Sequence, residues 1–269
     1  MPKIRFLLLI ITMFLIVAVG AYAQTTKKSF TVFDATLYQG KPDLSQYGLT
    51  PLRIIYAQEL WNKGESRDEP NKEKIIEVAK SLQPNSIVCV DIEHWHAVGS
   101  PENKQRVIAK YKLVMNLIKK HNPTVKVGYY GMLPVRDYWR AIGERGEEQY
   151  NEWVRQNDEL RSIADSVDVV FPSLYTLYDD PQKWELYAVN NLKEAKKYNK
   201  PLYSFLWPMY HDGNSRLRGQ YISADFWRRQ LETVQTYADG IVIWGGYKEQ
   251  WSDNALWWVE TKKFIKKRH

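Results

Sequence analysis

Asp91, Glu93, His94 and His96 fall within six residues in the stretch SIVCVDIEHWHAV, Ser86 to Val98. Two carboxylates two positions apart suit acid–base chemistry. Acids this close do not both ionise easily, so one is pushed to hold a proton near neutral pH, as a general acid must. The same spacing also serves structure, with Asp91 capping a following helix and Glu93 pairing with a base, and the spacing alone leaves both readings open. His94 and His96 lack a third ligand at zinc-like spacing, so no metal and no cofactor is expected, and the imidazoles are expected to support or line a groove.

The residues ahead of the acids, SIVCV, read as a buried strand, and that strand must aim the two carboxylates at its end. Side chains at i and i+2 leave a strand on one face, so Asp91 and Glu93 emerge together while Ile92 faces the other way. Comparable apolar runs recur at FTVFDA, LRIIYAQ, KVGYYG, DVVFPSLY, PLYSFLW and GIVIWGG. Amphipathic segments separate them. In PENKQRVIAKYKLVMNLIKKH, for example, Val107, Tyr111, Val114, Leu117 and Ile118 share one helical face and Pro101 occupies the first turn. Strands alternating with helices predict an α/β chain, a distorted (β/α) TIM-like barrel of seven to eight strands with one or two irregular units. In such a barrel the chemistry sits at the C-terminal ends of the strands.

Those ends are rich in sugar-compatible groups: Tyr129 and Tyr130 in VGYYG, Tyr175 and Tyr178 in VVFPSLYTLYDD, Trp207, Tyr210 and Asp212 in SFLWPMYHDGN, and Trp244 in IVIWGGYKEQW. Hydroxyl and indole donors at four strand ends beside an acid pair predict a saccharide site. Eleven Trp and eighteen Tyr in 269 residues fit such a groove as well as they fit a core.

Residues 1–23, with Lys3 and Arg5 ahead of an apolar run and small residues at AYA, read as a secretory signal peptide cleaved after Ala23; retention as an anchor is the alternative. The rest, 24–269, reads as a single barrel domain, secreted or periplasmic and monomeric, without a membrane contact unless the leader is kept. Setting Lys3 and Arg5 aside from the 38 basic residues leaves 36 against 31 acidic, a mild positive charge scattered without a nucleic-acid pattern. Cys89 alone cannot form an internal disulfide, so a core within roughly 245 residues has to stabilise the fold.

The segments resemble, in order, the glycoside hydrolase family of the animal and venom hyaluronidases. VDIEHWHAV resembles that family's acid-x-Glu strand followed by Trp, and VGYYG its aromatic strand end. NDELRSIADSVDVVFPSLY is similar to its helix leading into a Pro-Ser-x-Tyr strand, and ADGIVIWGG to its closing strand. The resemblance implies a retaining endo-hydrolysis of polysaccharide containing N-acetylhexosamine, in which the substrate's own acetamido group attacks the anomeric carbon. It further implies Glu93 as proton donor and then base, Asp91 and Tyr175 as partners of the acetamido group, Tyr130 as a lining residue and Trp244 as a hydrophobic wall. Tyr129, Trp207, Tyr210 and Asp212 join the substrate-binding set as strand-end residues.

Departures from the family pattern bear on the substrate. Cys89 reproduces none of the disulfides of the eukaryotic members, so a disulfide-free, bacterial relative is implied. Fewer residues separate DIEHW from VGYYG, so the groove loops differ and the glycan is left open between hyaluronan-like, chondroitin-like and bacterial polymers. Arg136, Arg216 and Arg218 follow strand ends and are either uronate contacts or solvated surface. Two other readings stand beside this one: an ordinary two-carboxylate glycosidase with Asp34, Asp212 or Glu249 as the second acid, and a non-catalytic carbohydrate-binding barrel.

Overall fold

Short β-branched runs between amphipathic helices leave the strands no neighbours except each other, and every strand ladder in the structure is parallel. The structure, a computed structural model, describes residues 29–268; the expected leader, 1–23, lies outside the described residues. The strands are β1 (Thr31–Thr36), β2 (Thr50–Pro51), β3 (Arg53–Tyr56), β4 (Ile87–Asp91), β5 (Lys126–Tyr129), β6 (Tyr203–Leu206) and β7 (Gly240–Gly245). They form one run in the order β2-β1-β7-β6 and a second in the order β3-β4-β5.

Two joints close these runs into a ring. At the first, β2 and β3 are halves of one strand interrupted at Leu52, whose N–H still donates to the Asp34 carbonyl at 2.9 Å. At the second, residues 169–176 lie between β5 and β6: Gly131 N–H donates to Phe171 O (2.9 Å), Tyr203 N–H to Val170 O (3.0 Å) and Phe205 N–H to Pro172 O (2.8 Å). Pro172 has no N–H to give, so this segment pairs only at isolated points. Counting each joint as one position, the described residues build a seven-membered (β/α) barrel, at the lower end of the expected seven to eight.

The helices are α1 (Lys72–Ser81), α2 (Pro101–His121), α3 (Glu147–Glu159), α4 (Arg161–Ser166), α5 (Pro181–Lys196), α6 (Ala224–Tyr237) and α7 (Leu256–Lys266). The expected irregular units are visible: only a short 3-10 turn, Leu44–Tyr47, stands between β1 and β2, and α3 and α4 share one crossover. Ser100 caps α2 through its hydroxyl, Pro101 opens it, and Lys119, Lys120 and His121 complement its C-terminal dipole. Val107, Tyr111, Val114 and Ile118 are buried as the helical pattern predicts, whereas Leu117 is only partly buried. No helix of the described residues is long and apolar enough to cross a membrane.

Period-two alternation divides the apolar residues into two separate cores. Phe33, Ala35, Leu52, Ile54, Cys89, Tyr130, Phe171, Tyr175, Phe205, Trp207 and Val242 fill the barrel's interior, while Val32, Ile55, Val88, Val90, Val127, Tyr129, Ile241 and Ile243 pack outward against the helices. The interior is tight at its lower end. A methyl group at Gly128 would fall inside contact distance of the Val169 carbonyl oxygen and the Phe171 ring.

Gly128→Ala is therefore expected to lower stability by about 1–3 kcal/mol, the range for overpacked cores. Urea unfolding checks this, and an unchanged midpoint would mean that the β5 and 169–176 backbones separate freely.

Candidate active site

β4 runs Ile87, Cys89 and Asp91 along the barrel's inner face, so Cys89 is fully buried and Asp91 emerges half-buried at the C-terminal mouth. The register places Asp91 beside Tyr56 of β3, and the Tyr130 N–H donates to Val90 O at 3.0 Å, which brings Tyr130 alongside. Glu93, two residues on, faces the same cavity, and Ile92 is buried on the other side. The cavity, about 180 Å³, is lined by Asp91, Glu93, Tyr56, Tyr130, Arg136, Tyr175, Trp207, His211, Asp212 and Trp244, with Ile54 and Phe205 at its floor.

The loop bearing Glu93 is held from below. The Tyr111 hydroxyl reaches the carbonyls of Ile92 (2.9 Å) and Trp95 (3.1 Å), and Tyr129 donates to the Tyr111 carbonyl at 2.7 Å. The loop bearing Arg136 is held from α3: Asn157 Oδ1 accepts from Val135 N–H at 2.9 Å, and Trp153 Nε1 donates to Val135 O at 2.8 Å. With both polar groups of residue 135 taken, the next side chain is aimed at the cavity.

Arg136 meets Glu93 there. Its Nη2 lies 3.0 Å from Glu93 Oε2 and its Nη1 3.4 Å from the Tyr130 hydroxyl, which shares a 3.0 Å hydrogen bond with Ser173 Oγ. Asp91 has no hydrogen bond or ion pair among the described residues. Burial, followed by the charge of Glu93, pushes its pKa up from 3.8 to about 7, with Arg136 pulling modestly the other way. Asp91, the more buried of the two acids, thus holds its proton up to near neutrality in the unliganded chain. Burial likewise keeps the Tyr130 and Tyr175 hydroxyls protonated, while burial and then Arg136 lower the pKa of His211.

Four aromatics form one wall. Tyr175 has ring centroids 5.8 Å from Tyr130, 5.7 Å from Trp207 and 5.8 Å from Trp244, and the two indoles meet edge to face at 5.1 Å. Trp244 Nε1 approaches Tyr56 Oη at 3.4 Å, and the buried Trp207 N–H has no hydrogen-bond partner among the described residues. On the far side of Glu93, Tyr130 and Arg136 a second cavity of about 210 Å³ is lined by Trp95, His96, Val98, Tyr111, Met132 and Leu160. The Glu93–Arg136 pair stands between the two.

Of the residues expected at the site, the structure gathers Asp91, Glu93, Tyr130, Tyr175, Trp207, Asp212 and Trp244 and leaves three outside, one of them Tyr178, which lines neither cavity and donates its hydroxyl to the Tyr138 carbonyl. Tyr129 is buried on the outer face of β5 against Tyr111, because neighbours on a strand point to opposite faces and Tyr130 takes the inner one. Tyr210 lies past Trp207, beyond the end of β6, and lines neither cavity. Asp34 faces outward, paired with Lys41 at 2.6 Å, and Glu249 is likewise outside, so Asp212 alone of the three alternative acids reaches the cavity. Arg216 pairs with Asp179 on the surface and Arg218 is exposed; Arg136 is the one of the three arginines that enters. Tyr56 and His211 join the site without having been expected there, although Tyr56 ends a strand in register with Asp91 and His211 sits inside MYHDG. Among the described residues no cluster of three His, Cys, Asp or Glu side chains could hold a metal ion.

Solved structures share this architecture. In fold, the chain resembles bee venom hyaluronidase. The crystal structure of that enzyme with a hyaluronic acid tetramer superposes with a TM-score of 0.62 at 15% identity, covering 88% of this chain and 95% of that one. The enzyme's monoclinic crystal form gives the same score over 89% of this chain, and the endo-beta-1,4-mannanase of Thermotoga petrophila gives 0.54 at 16% identity over 83% of this chain and 59% of its own. No family model and no curated protein matches the sequence. At these identities the likeness establishes the (β/α) barrel.

The raised Asp91 carries a pH signature. An acid that binds its proton more tightly when folded adds stability that is fully present below its ordinary 3.8 and is lost as pH rises towards about 7. Asp91→Asn stays neutral throughout, so its stability relative to wild type is expected to rise between pH of about 4 and about 8. Urea midpoints across that range test this; a constant difference would mean that Asp91 is ionised throughout.

Proposed function

We propose that the protein is a retaining endo-glycoside hydrolase of polysaccharide containing N-acetylhexosamine, acting by substrate assistance. What carries the reading is the pair Asp91 and Glu93, two residues apart at one strand end, in one cavity with the aromatic wall of Tyr130, Tyr175, Trp207 and Trp244. The barrel shared with hyaluronidase supports it.

The reaction divides between the two acids. The acetamido carbonyl oxygen attacks the anomeric carbon as the glycosidic bond breaks, and the departing oxygen takes a proton from Glu93. Asp91 accepts a hydrogen bond from the acetamido N–H and, ionised, balances the oxazolinium charge. Water then attacks the anomeric carbon, gives its proton to Glu93 and reopens the ring with retained configuration.

The unliganded proton on Asp91 fits this sequence. An N–H donated to Asp91 favours its charged form, and in a coupled pair the proton then moves to the other member. Substrate binding thus prepares Glu93 as the donor. Tyr175 stands within the aromatic wall to hold the acetamido group.

A second reading is favoured by one observation, the presence of Asp212 in the cavity. With Asp212 as nucleophile or base, the enzyme would be a two-carboxylate glycosidase and would not need an acetamido group.

Glu93→Gln is expected to cut kcat by roughly 10²–10⁴, the usual worth of a positioned proton donor, measured as reducing-end release from hyaluronan, chondroitin and chitin oligomers. A thiazoline analogue of N-acetylglucosamine, which mimics the cyclic intermediate, is expected to inhibit. Cleavage of de-acetylated chains, lost in Asp212→Asn, would sink the substrate-assisted reading in favour of the second.

A further inference from the structure

The acid that must donate a proton is held by a cation in the unliganded chain. Arg136 Nη2 is 3.0 Å from Glu93 Oε2, and the Arg136 side chain is 31% exposed against 51% for Glu93. A guanidinium at that distance stabilises a carboxylate and opposes its protonation. Its position is built in, through the two hydrogen bonds that α3 makes to Val135 and the contact with the Tyr130 hydroxyl. Asp91 on β4, Tyr130 just past β5, Tyr138 beyond it, Tyr175 on the 169–176 segment, and His211 and Asp212 after β6 also surround the pair. Among the described residues Glu93 alone forms an ion pair with Arg136.

An ion pair with one half-exposed partner contributes little net stability, so an incoming anion can replace it. Arg136 also lines both cavities, within reach of a substrate lying across Glu93 in either direction. We propose that Arg136 is an anion-responsive clamp on Glu93: a carboxylate or sulfate on the sugar beside the scissile bond takes the guanidinium and releases Glu93 to accept and donate its proton. The inference rests on the reading of Glu93 as proton donor and adds a control on the chemical step, in which an anionic sugar and not a neutral one frees the acid from Arg136. A neutral N-acetylated chain would bind against an acid that stays clamped.

The test compares wild type, Arg136→Gln and Arg136→Lys on a hyaluronan hexasaccharide, its carboxyl-reduced counterpart, and a carboxyl-reduced, 4-sulfated chondroitin hexasaccharide, with kcat and KM followed across pH. Wild type is expected to turn over the uronate hexasaccharide roughly tenfold or more faster than the reduced one, on the scale of one charged hydrogen bond. Arg136→Gln should erase that ratio and shift the acidic and basic limbs of kcat on the reduced chain, while Arg136→Lys, still cationic but without the fork, should keep part of it. Faster turnover of the sulfated chain than of the reduced hyaluronan would assign the anion contact to sulfate, and equal turnover would assign it to the uronate. A merely structural role would lower kcat on all three alike, and an unchanged ratio in Arg136→Gln overturns the clamp while the hydrolase reading stands. If wild type cleaves none of them, that reading fails, and calorimetry decides on Arg136 separately. A preference for the acidic hexasaccharides that Arg136→Gln abolishes keeps Arg136 as the anion contact, and equal affinities refute it.

Discussion

Closure of the strand ring is the constraint on which the rest of the structure depends. A strand in a closed barrel has two faces that never meet, one turned to the interior and one to the helices, and each residue's parity assigns it to one. Cys89, Asp91, Tyr130, Tyr175, Trp207 and Trp244 occupy the inner parity of their strands, and Val90, Tyr129 and Ile243 the outer. The ring therefore does two things at once: it buries an apolar interior and lifts the last inner residue of each strand into a common mouth. The two joints, at Leu52 and at Pro172, show that closure survives where the ladder is incomplete, provided the single hydrogen bonds there are made.

Placing acids at that mouth has an electrostatic cost, and the arrangement around Asp91 and Glu93 shares it out. Glu93, the more exposed, stays beside Arg136. Asp91, lower in the barrel and without a hydrogen bond or ion pair among the described residues, meets the cost by holding its proton. A carboxyl that holds its proton beside a second acid is poised to give it up when a donor enters, which an evenly solvated pair would not be.

Much of this could be read from the chain before folding. The seven apolar runs mark the seven barrel positions because a parallel strand buried on both faces has to be nearly continuous in Val, Ile and aromatics. The two-residue spacing of Asp91 and Glu93 is a statement about parity and is met at the mouth. Which of Tyr129 and Tyr130 turns inward was not legible, since GYYG fixes no phase by itself; the phase comes from pairing with β4. Nor could the meeting of Arg136 with Glu93 be read, because 43 residues separate them and only the pairing of β4 with β5 brings the loops that follow those strands together. Tyr210 misled for a related reason: Phe205, Trp207 and Met209 carry the inner parity on past the end of the strand, and that parity turns Tyr210 to the other side.

The abundance of Trp and Tyr acquires a different meaning from the one composition suggested. Sugar stacking accounts for the few rings in the wall; many of the others sit in the helix-facing shell with their polar atoms spent on specific carbonyls. Trp153 donates to Val135 O, beside Arg136; Trp184 donates to Leu174 O, beside Tyr175; Tyr187 donates to Ser173 O; and the Tyr111 hydroxyl reaches Ile92 O, between the two acids. Each of these rings buries a large apolar surface and fixes, with one hydrogen bond, the backbone next to a site residue. Cys89 is the chain's only cysteine and lies inside the barrel, so no internal disulfide can restrain these loops. The aromatic shell takes over that restraint, and it does so at the residues on which the acids, the arginine and the tyrosine wall depend.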